Sequence, residues 1–158
     1  MRTTSSNYCK LGATALAALL ALGAGQASAQ ISDDVVRVGI QGDMSGPYSG
    51  NGGPGSVLAA RMAVEDFGGK VNGKAIEIVI NDDQNKPDVG LNAARKWLDS
   101  DKVDAIIGGS ASSIALGVAS LARQAGKPFI AAGTATSDLT GKACSPMNFQ
   151  FVIDTYFM

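Results

Sequence analysis

Short β-rich runs alternate with helix-patterned runs along most of this sequence, and that alternation limits the fold more than any other feature. Apolar residues recur every three or four positions over residues 56–67, 87–98 and 112–125, as they do in helices with one buried face. The β-rich runs cover residues 35–40, 75–80, 103–107, 128–131 and 149–153. Strands that alternate with helices predict an α/β domain with a doubly wound parallel sheet, covered on both faces.

The predicted helices also have recognisable ends and inner faces. Pro87 suits the first turn of the second helix, and Ser112 or Ser113 is expected to cap the third helix. Asn72 and Gly73 form a turn pair ahead of the second strand. The residues expected to face the sheet are Ala60, Ala63, Val64, Phe67, Leu91, Ala94, Leu98, Ile114, Val118, Leu121 and Ala125.

The loops that follow the strands are the expected location of a binding site. In a parallel sheet with right-handed crossovers, every strand-to-helix loop lies at the same edge of the sheet. Ligands of such folds bind outside the carboxyl ends of the strands, so the site is predicted to be built from these loops. The loops cover residues 41–55, 81–86, 108–112 and 133–140.

Two of these loops, residues 109–113 and 133–137, combine small residues with hydroxyl groups. Small residues let a ligand approach the backbone, and hydroxyl and N–H donors at the start of a helix suit a carboxylate. Helix capping would explain one such loop equally well, but two loops at one edge favour a ligand site. The candidate hydroxyl donors are Ser112, Ser113, Thr134 and Thr136.

Residues 50–55, G-N-G-G-P-G, match the dinucleotide-binding pattern G-x-G-x-x-G. In that fingerprint the first glycine follows the strand directly, so that the pyrophosphate meets the start of the helix. Here a long spacer separates Ile40 from Gly50, and Pro54 interrupts the pattern. We therefore predict no cofactor, and we interpret the run as a loop that wraps one side of a ligand cleft. An exported dinucleotide-dependent enzyme is the alternative interpretation.

Several residue types that enzymes commonly need are missing. The sequence contains no histidine, the commonest general base and the commonest catalytic metal ligand. It has neither a G-x-S-x-G nor an S-x-x-K motif to make a serine nucleophilic, and its carboxylates lack metal-ligand spacing. These absences favour a binding protein over an enzyme.

Residues 1–29 have the organisation of a secretory signal peptide. A basic start precedes an apolar run over residues 11–25, and residues 27–29, Ala-Ser-Ala, provide the pattern for cleavage. We predict export to the periplasm and a mature lobe over residues 30–158. Removing the two basic residues of the signal from the totals of 13 basic and 14 acidic residues leaves a net charge of −3. This charge disfavours nucleic acid as a partner.

Three segments carry a resemblance to a known family. They are D-M-S-G-P at residues 43–47, A-A-R-M-A-V-E-D at residues 59–66 and T-S-D-L-T at residues 136–140. The mature chain resembles the Leu/Ile/Val-binding family of periplasmic ABC-transporter binding proteins. The resemblance implies a two-lobed clamshell that is not embedded in the membrane and whose partners are a small ligand and the permease subunits. It implies that the carboxylate of the ligand is held by Ser112, Ser113, Thr134, Ala135 and Thr136.

The resemblance also implies what this sequence lacks. Members of the family are more than twice as long, and their second lobe supplies the acid that pairs with an amino-acid ammonium group. Tyr156 resembles the start of the crossing to that lobe and is expected to touch ligand. Because the chain ends just after the apolar run at 149–153, we expect an incomplete lobe that alone binds ligand weakly. The ligand is left open between a branched amino acid, an aromatic acid, a short amide and another small carboxylate. A sensor lobe that reports to a signalling partner is a further alternative.

Overall fold

Six strands form one sheet in the computed structural model, which describes residues 31–157. The predicted signal peptide therefore lies outside the described residues. In chain order the elements are β1 (Val35–Gly42), α1 (Ser49–Gly52), α2 (Pro54–Asp66), β2 (Lys70–Val71), β3 (Lys74–Asp82), α3 (Pro87–Asp99), β4 (Ala105–Gly108), α4 (Ser112–Gln124), β5 (Phe129–Ala131), a 3₁₀ turn (Ser137–Leu139) and β6 (Asn148–Gln150).

The sheet has the order β2-β3-β1-β4-β5-β6. All strands except β2 run parallel to their neighbours, which confirms the predicted doubly wound sheet. The short strand β2 pairs antiparallel with β3 through a turn in which Asn72 and Gly73 both have positive φ. The order of the strands reverses beside β1, so the switch point, where such sheets open a crevice, lies between β1 and β4.

One face of the sheet is closed by α3 and α4. Trp97 of α3, Ile114 and Val118 of α4, and the strand residues Ile106 and Phe129 are all buried there. Gly39 leaves room for the indole, because a Cβ at this position would lie 2.7 Å from two ring carbons of Trp97. The match between a glycine on β1 and a tryptophan on α3 fixes how closely α3 packs on the sheet.

The opposite face of the sheet carries α2. Fewer residues of this helix are buried than the sequence predicts. Val57 is its one buried residue, Ala60 and Val64 are half-buried, and Ala63 and Phe67 are exposed. The predicted side of the helix does face the sheet, where it lines an apolar groove with Val38, Ile76, Ile78 and Ile107. Within the described residues α2 is the helix on this face, and one helix is too narrow to cover six strands.

The inner face of α4 is also shorter than predicted. Helix α4 ends at Gln124, and Ala125 is an exposed C-cap residue instead of a core residue. The chain reverses at Gly126, whose φ of +65° suits the left-handed conformation that often ends a helix. Within residues 31–157, no helix has the length and apolar character needed to cross a membrane.

Candidate functional site

A side-chain hydrogen bond between Ser112 and Thr134 joins the two hydroxyl-bearing loops. Ser112 is the first residue of α4, and Thr134 follows β5. Their hydroxyl oxygens are 3.1 Å apart although the residues are 22 positions apart in the chain. Thr134 is 1% exposed, whereas Ser112 is open to solvent. The structure therefore brings the two predicted loops together at a pair of hydroxyl groups, one buried and one accessible.

The prediction that Ser112 or Ser113 caps α4 is wrong. The N-cap position is occupied by Ala111, and no side chain caps the helix there. Ser112 lies inside the first turn, and its hydroxyl bonds across to Thr134 instead of back to the helix. The first backbone bond of α4 runs from the N–H of Ala115 to the carbonyl of Ala111. The N–H groups of the preceding turn are therefore not used inside the helix.

A cleft of about 230 Å³ lies at the switch point of the sheet, and its lining includes Ser110 and Gly133 of the two hydroxyl-bearing loops but neither Ser112 nor Thr134. Three loops meet at its rim, through Gly52 of the first loop, Ser110 of the loop after β4 and Gly133 of the loop after β5. Apart from a few polar groups its walls are apolar, and they are formed by Ile40, Gln41, Ser56, Ala59, Ala60, Ile107, Gly108, Gly109 and Ala132. A cleft of this kind suits the apolar body of a small molecule.

The glycine-rich segment packs against the ends of β1 and β4. Residues 49–52 form the short helix α1, and the buried Gly53 connects it to α2. A Cβ at Gly52 would lie 3.2 Å from Cβ of Ser110, so the loop approaches the β4 side closely. Gly50 is exposed, with open space around its Cα, and it does not form a tight turn after β1. This geometry differs from the dinucleotide fingerprint, in which the first glycine forms that turn.

Comparison with known proteins agrees with the fold. The model of the family described as "Periplasmic binding protein" matches residues 35–157. The chain belongs to the periplasmic binding protein family. These are solute-binding proteins and not enzymes, which confirms the prediction of a non-catalytic chain. A comparison with curated proteins gave no match.

Several solved periplasmic binding proteins are similar to this chain. A periplasmic binding protein from Burkholderia mallei is 42% identical with a TM-score of 0.75, over 77% of this chain and 32% of that one. A branched-chain amino acid ABC transporter periplasmic ligand-binding protein from Burkholderia xenovorans is 36% identical, with a TM-score of 0.72, over 75% and 32% of the two chains. A solute-binding protein of an ABC transporter from Rhodopseudomonas palustris, solved with 3,4-dihydroxybenzoic acid, is 30% identical, with a TM-score of 0.71, over 77% and 33%. The chain spans about a third of the length of these relatives.

In this periplasmic binding protein lobe, Thr136 has a structural task that Ser112 lacks. Its hydroxyl accepts a hydrogen bond of 3.3 Å from the N–H of Asp138 and thereby caps the 3₁₀ turn Ser137–Leu139. Capping, the alternative explanation for both loops, therefore holds for Thr136 and fails for Ser112. Thr136 keeps a hydroxyl hydrogen that it can donate, but its orientation is set by the turn.

Ala135 and Tyr156 belong to the neighbourhood of the last described residues. The carbonyl of Ala135 accepts a 2.7 Å hydrogen bond from the N–H of Thr155, which ties the end of the chain to the loop after β5. Tyr156 is 92% exposed and lines a shallow surface depression with Asp138, Thr140 and Asp154. That depression does not include Ser112 or Thr134, so the structure does not bring Tyr156 to the hydroxyl pair.

Three aspartates, Asp43, Asp82 and Asp83, lie at the ends of β1 and β3, and the sequence analysis named none of them as a site residue. Asp83 is fully buried, and burial raises the pKa of its carboxyl group, as do the charges of Asp43 and Asp82. The pKa of Asp82 is shifted in the opposite direction. The hydroxyl of Ser45 donates a hydrogen bond to its carboxylate and lowers its pKa. In the part of the chain that the structure describes, no three or more histidine, cysteine, aspartate or glutamate side chains are placed so that they could hold a metal ion.

Proposed function

We propose that this chain is the N-terminal ligand-binding lobe of an exported solute-binding protein that serves an ABC transporter. We propose that it holds the carboxylate of a small ligand at Ser112 and Thr134. The observation that carries this proposal is the 3.1 Å hydroxyl pair at the first turn of α4, a helix of 13 residues whose N-terminus has no side-chain cap.

The physical case for a carboxylate rests on donors and on charge. The hydroxyls of Ser112 and Ser113 and the unused N–H groups of the first turn are all hydrogen-bond donors. The positive end of the helix dipole lies at the same place and favours an anion. Thr134 is buried, so its hydroxyl acts where water competes poorly. A carboxylate that replaces the bond between the two hydroxyls can accept from both of them.

The ligand we propose is a small carboxylate with an apolar or aromatic body. The relative from Burkholderia xenovorans is named for branched-chain amino acids. Relatives from Rhodopseudomonas palustris were solved with 3,4-dihydroxybenzoic acid and with 4-hydroxybenzoate. These compounds share a carboxylate and a compact apolar part, and the largely apolar cleft beside Ser110 and Gly133 supports this combination. Its volume of about 230 Å³ suits a compound of that size.

The remaining parts of the proposal concern the whole protein. We propose that a second lobe closes over the ligand and that the closed form engages the permease subunits. The exposed ring of Tyr156 is proposed to reach the ligand on closure, since the lobe alone leaves it in solvent. Without a second lobe, one side of the ligand stays in water, so the affinity of this lobe alone is expected to be weak.

The carboxylate site can be tested by NMR titration with 4-hydroxybenzoate and isoleucine, because NMR measures weak as well as tight binding. Thr134→Val and Ser112→Ala should each weaken binding roughly ten-fold to a hundred-fold, since a hydrogen bond to a charged group contributes about 1.5–3 kcal/mol. Ser120→Ala is the matched control, because Ser120 is an exposed serine two turns further along α4. Unchanged affinity in both Thr134→Val and Ser112→Ala would exclude this assignment.

Export is tested separately from binding. The predicted cleavage after Ala29 gives a mature protein that begins at Gln30. Mass spectrometry of the periplasmic fraction should find this N-terminus. A mature protein that retains residues 1–29 would show that the export prediction is wrong.

A further inference from the structure

Two carboxylates accept hydrogen bonds from backbone N–H groups and a side-chain hydroxyl of the loop between β1 and α1, residues 43–48. Asp82, at the end of β3, accepts the N–H of Met44 at 2.9 Å and the hydroxyl of Ser45 at 2.7 Å. The fully buried Asp43 accepts the N–H of Gly46 at 2.5 Å and the N–H of Tyr48 at 2.8 Å. The loop is therefore held by its own aspartate and by one from the adjacent strand.

The close fit at Gly46 shows how tightly Asp43 is enclosed. A Cβ at Gly46 would lie 2.6 Å from both carboxylate oxygens of Asp43, which is closer than real Cβ atoms come to their neighbours. Only glycine leaves space for the carboxylate to accept the N–H of residue 46. The pair of residues Asp43 and Gly46 thus forms a fixed turn that leads from the end of β1 to Tyr48.

The held loop continues directly into the wall of the cleft. The N–H of Asp43 donates to the hydroxyl of Ser110 at 3.3 Å, which links the loop to the segment after β4. At the other end of the loop, the carbonyl of Tyr48 accepts the N–H groups of Asn51 and Gly52 and starts α1. Gly52 and Ser110 both line the cleft, so the position of the loop determines the shape of one wall.

We propose that Asp82 and Asp43 are positioning residues, which hold the loop 43–48 and the wall behind it in the ligand-binding shape before the ligand arrives. This inference rests on the proposed function, since it assigns a role in the same cleft. Neither aspartate lines the cleft, so their effect on affinity passes through the loop. An already ordered loop removes the ordering cost from the binding step and so strengthens binding.

The arrangement also explains why the loop itself offers little to an anionic ligand. The N–H groups of Met44, Gly46 and Tyr48 are taken by carboxylates, and Pro47 has none. These three backbone N–H groups are therefore not free for a ligand carboxylate, whereas the N–H groups of the first turn of α4 are not used inside their helix. The first loop contributes shape, and the α4 side contributes hydrogen bonds.

The test combines amide hydrogen exchange in the ligand-free protein with NMR titration of 4-hydroxybenzoate and isoleucine. In Asp82→Ala, exchange over residues 43–53 should become at least ten-fold faster while exchange in α4 stays unchanged, and affinity should fall about three-fold to ten-fold. Asp82→Asn keeps one acceptor oxygen and should give intermediate values of both quantities. Asp88→Ala, which removes an exposed carboxylate from the first turn of α3, should change neither.

Each result decides the proposal. Unchanged exchange over residues 43–53 in Asp82→Ala overturns it, as does faster exchange with unchanged affinity. If Asp82→Ala unfolds, exchange rises everywhere, and Ser45→Ala, which removes a single bond, takes its place with the same two readouts. If the unaltered protein binds neither compound, the proposed function fails and the positioning role fails with it. Intact binding in the unaltered protein together with either overturning result rejects the positioning role alone.

Discussion

The two halves of the carboxyl edge use their polar groups in opposite ways. On the β1–β3 half, Asp43 and Asp82 take up backbone donors of the first loop, and the loop packs so closely that a Cβ at Gly46 or Gly53 would clash. On the β4–β5 half, the first turn of α4 has no cap, and its serine hydroxyl meets Thr134. We call the β1–β3 half the saturated half, because carboxylates take up the backbone N–H groups of its loop at Met44, Gly46 and Tyr48. On the other half, the N–H groups of the first turn of α4 are not used inside the helix.

The charges of the two halves agree with this division. Asp43, Asp82 and Asp83 lie on the β1–β3 half, whereas the N-terminus of α4 places partial positive charge on the β4–β5 half. This division predicts that the proposed ligand carboxylate is repelled by the first half and attracted by the second. Under the proposed function, we therefore expect the ligand to orient with its carboxylate towards α4.

The largest expected effect comes from loosening the saturated half at Gly53. A Cβ at this position would lie 2.7 Å from the carbonyl oxygen of Asp43 and closer still to that of Ser49, and neither backbone atom can move freely. Gly53→Ala should lower the free energy of unfolding by about 1–3 kcal/mol. Urea denaturation with midpoints and slopes compared against the unaltered protein measures the change.

Gly55 provides the matched control for Gly53. It lies in α2, and a Cβ added to it would have no other atom within 4 Å, so the same substitution adds no clash there. Gly55→Ala should raise the free energy of unfolding by up to about 1 kcal/mol, because alanine is the better helix former. Equal effects of the two substitutions would contradict the close packing of the first loop.

A smaller effect on the free energy of unfolding should distinguish the loop after β5 from the loop after β4. Thr136 caps a 3₁₀ turn, so Thr136→Ala should lower the free energy of unfolding by about 0.5–1 kcal/mol. Ser113 is exposed and does not cap α4, so Ser113→Ala should change it by less than about 0.5 kcal/mol. Thermal melting of both variants beside the unaltered protein gives the comparison. A loss of stability in Ser113→Ala equal to that in Thr136→Ala would restore capping as the explanation for both loops.

The order of strands and helices could be predicted from the sequence because hydrophobic periodicity is a local property. The parallel sheet and its common loop edge followed from that order together with the handedness of crossovers. The apolar side of α2 was likewise identified, but periodicity does not show whether anything covers that side. Phe67 was therefore expected in the core and is 65% exposed.

The details of the site depended on contacts between distant parts of the chain, which no local pattern contains. Ser112 fits the pattern of a helix cap, but its partner Thr134 is 22 positions away. The carboxylate of Asp82 binds the N–H of Met44, 38 positions earlier. The turn at Asp43 is different, because an aspartate three residues before a glycine is a recognisable turn signal and could have been found.

The smallest and most specific prediction concerns the buried carboxyl group of Asp83, which tests whether the β1–β3 half carries more negative charge than it can neutralise. One oxygen of Asp83 accepts the N–H of Asn85 at 2.9 Å, and the other is buried with no hydrogen-bond partner. Burial, followed by the charges of Asp43 and Asp82, raises its pKa above the ordinary value of 3.8. The folded state therefore binds this proton more tightly than the unfolded state does.

Because of that difference, the ionisation of Asp83 lowers stability as the pH rises from about the ordinary value of 3.8 through the raised folded pKa. Asp83→Asn keeps an acceptor for Asn85 and removes the charge, so it should be more stable than the unaltered protein at pH 7. The gain should shrink as the pH falls and vanish below the unfolded pKa, where both forms are neutral. Urea denaturation at pH 7 and near pH 4 measures the gain, and the exposed Asp88→Asn should show no such dependence.

Other carboxylates also make stability depend on pH, since Asp33 and Asp104 have lowered pKa values and favour folding at higher pH. Only the difference in stability between Asp83→Asn and the unaltered protein therefore isolates Asp83. An Asp83→Asn protein that is less stable at pH 7 would mean that this carboxylate is a needed part of the saturated half, and not an excess charge within it.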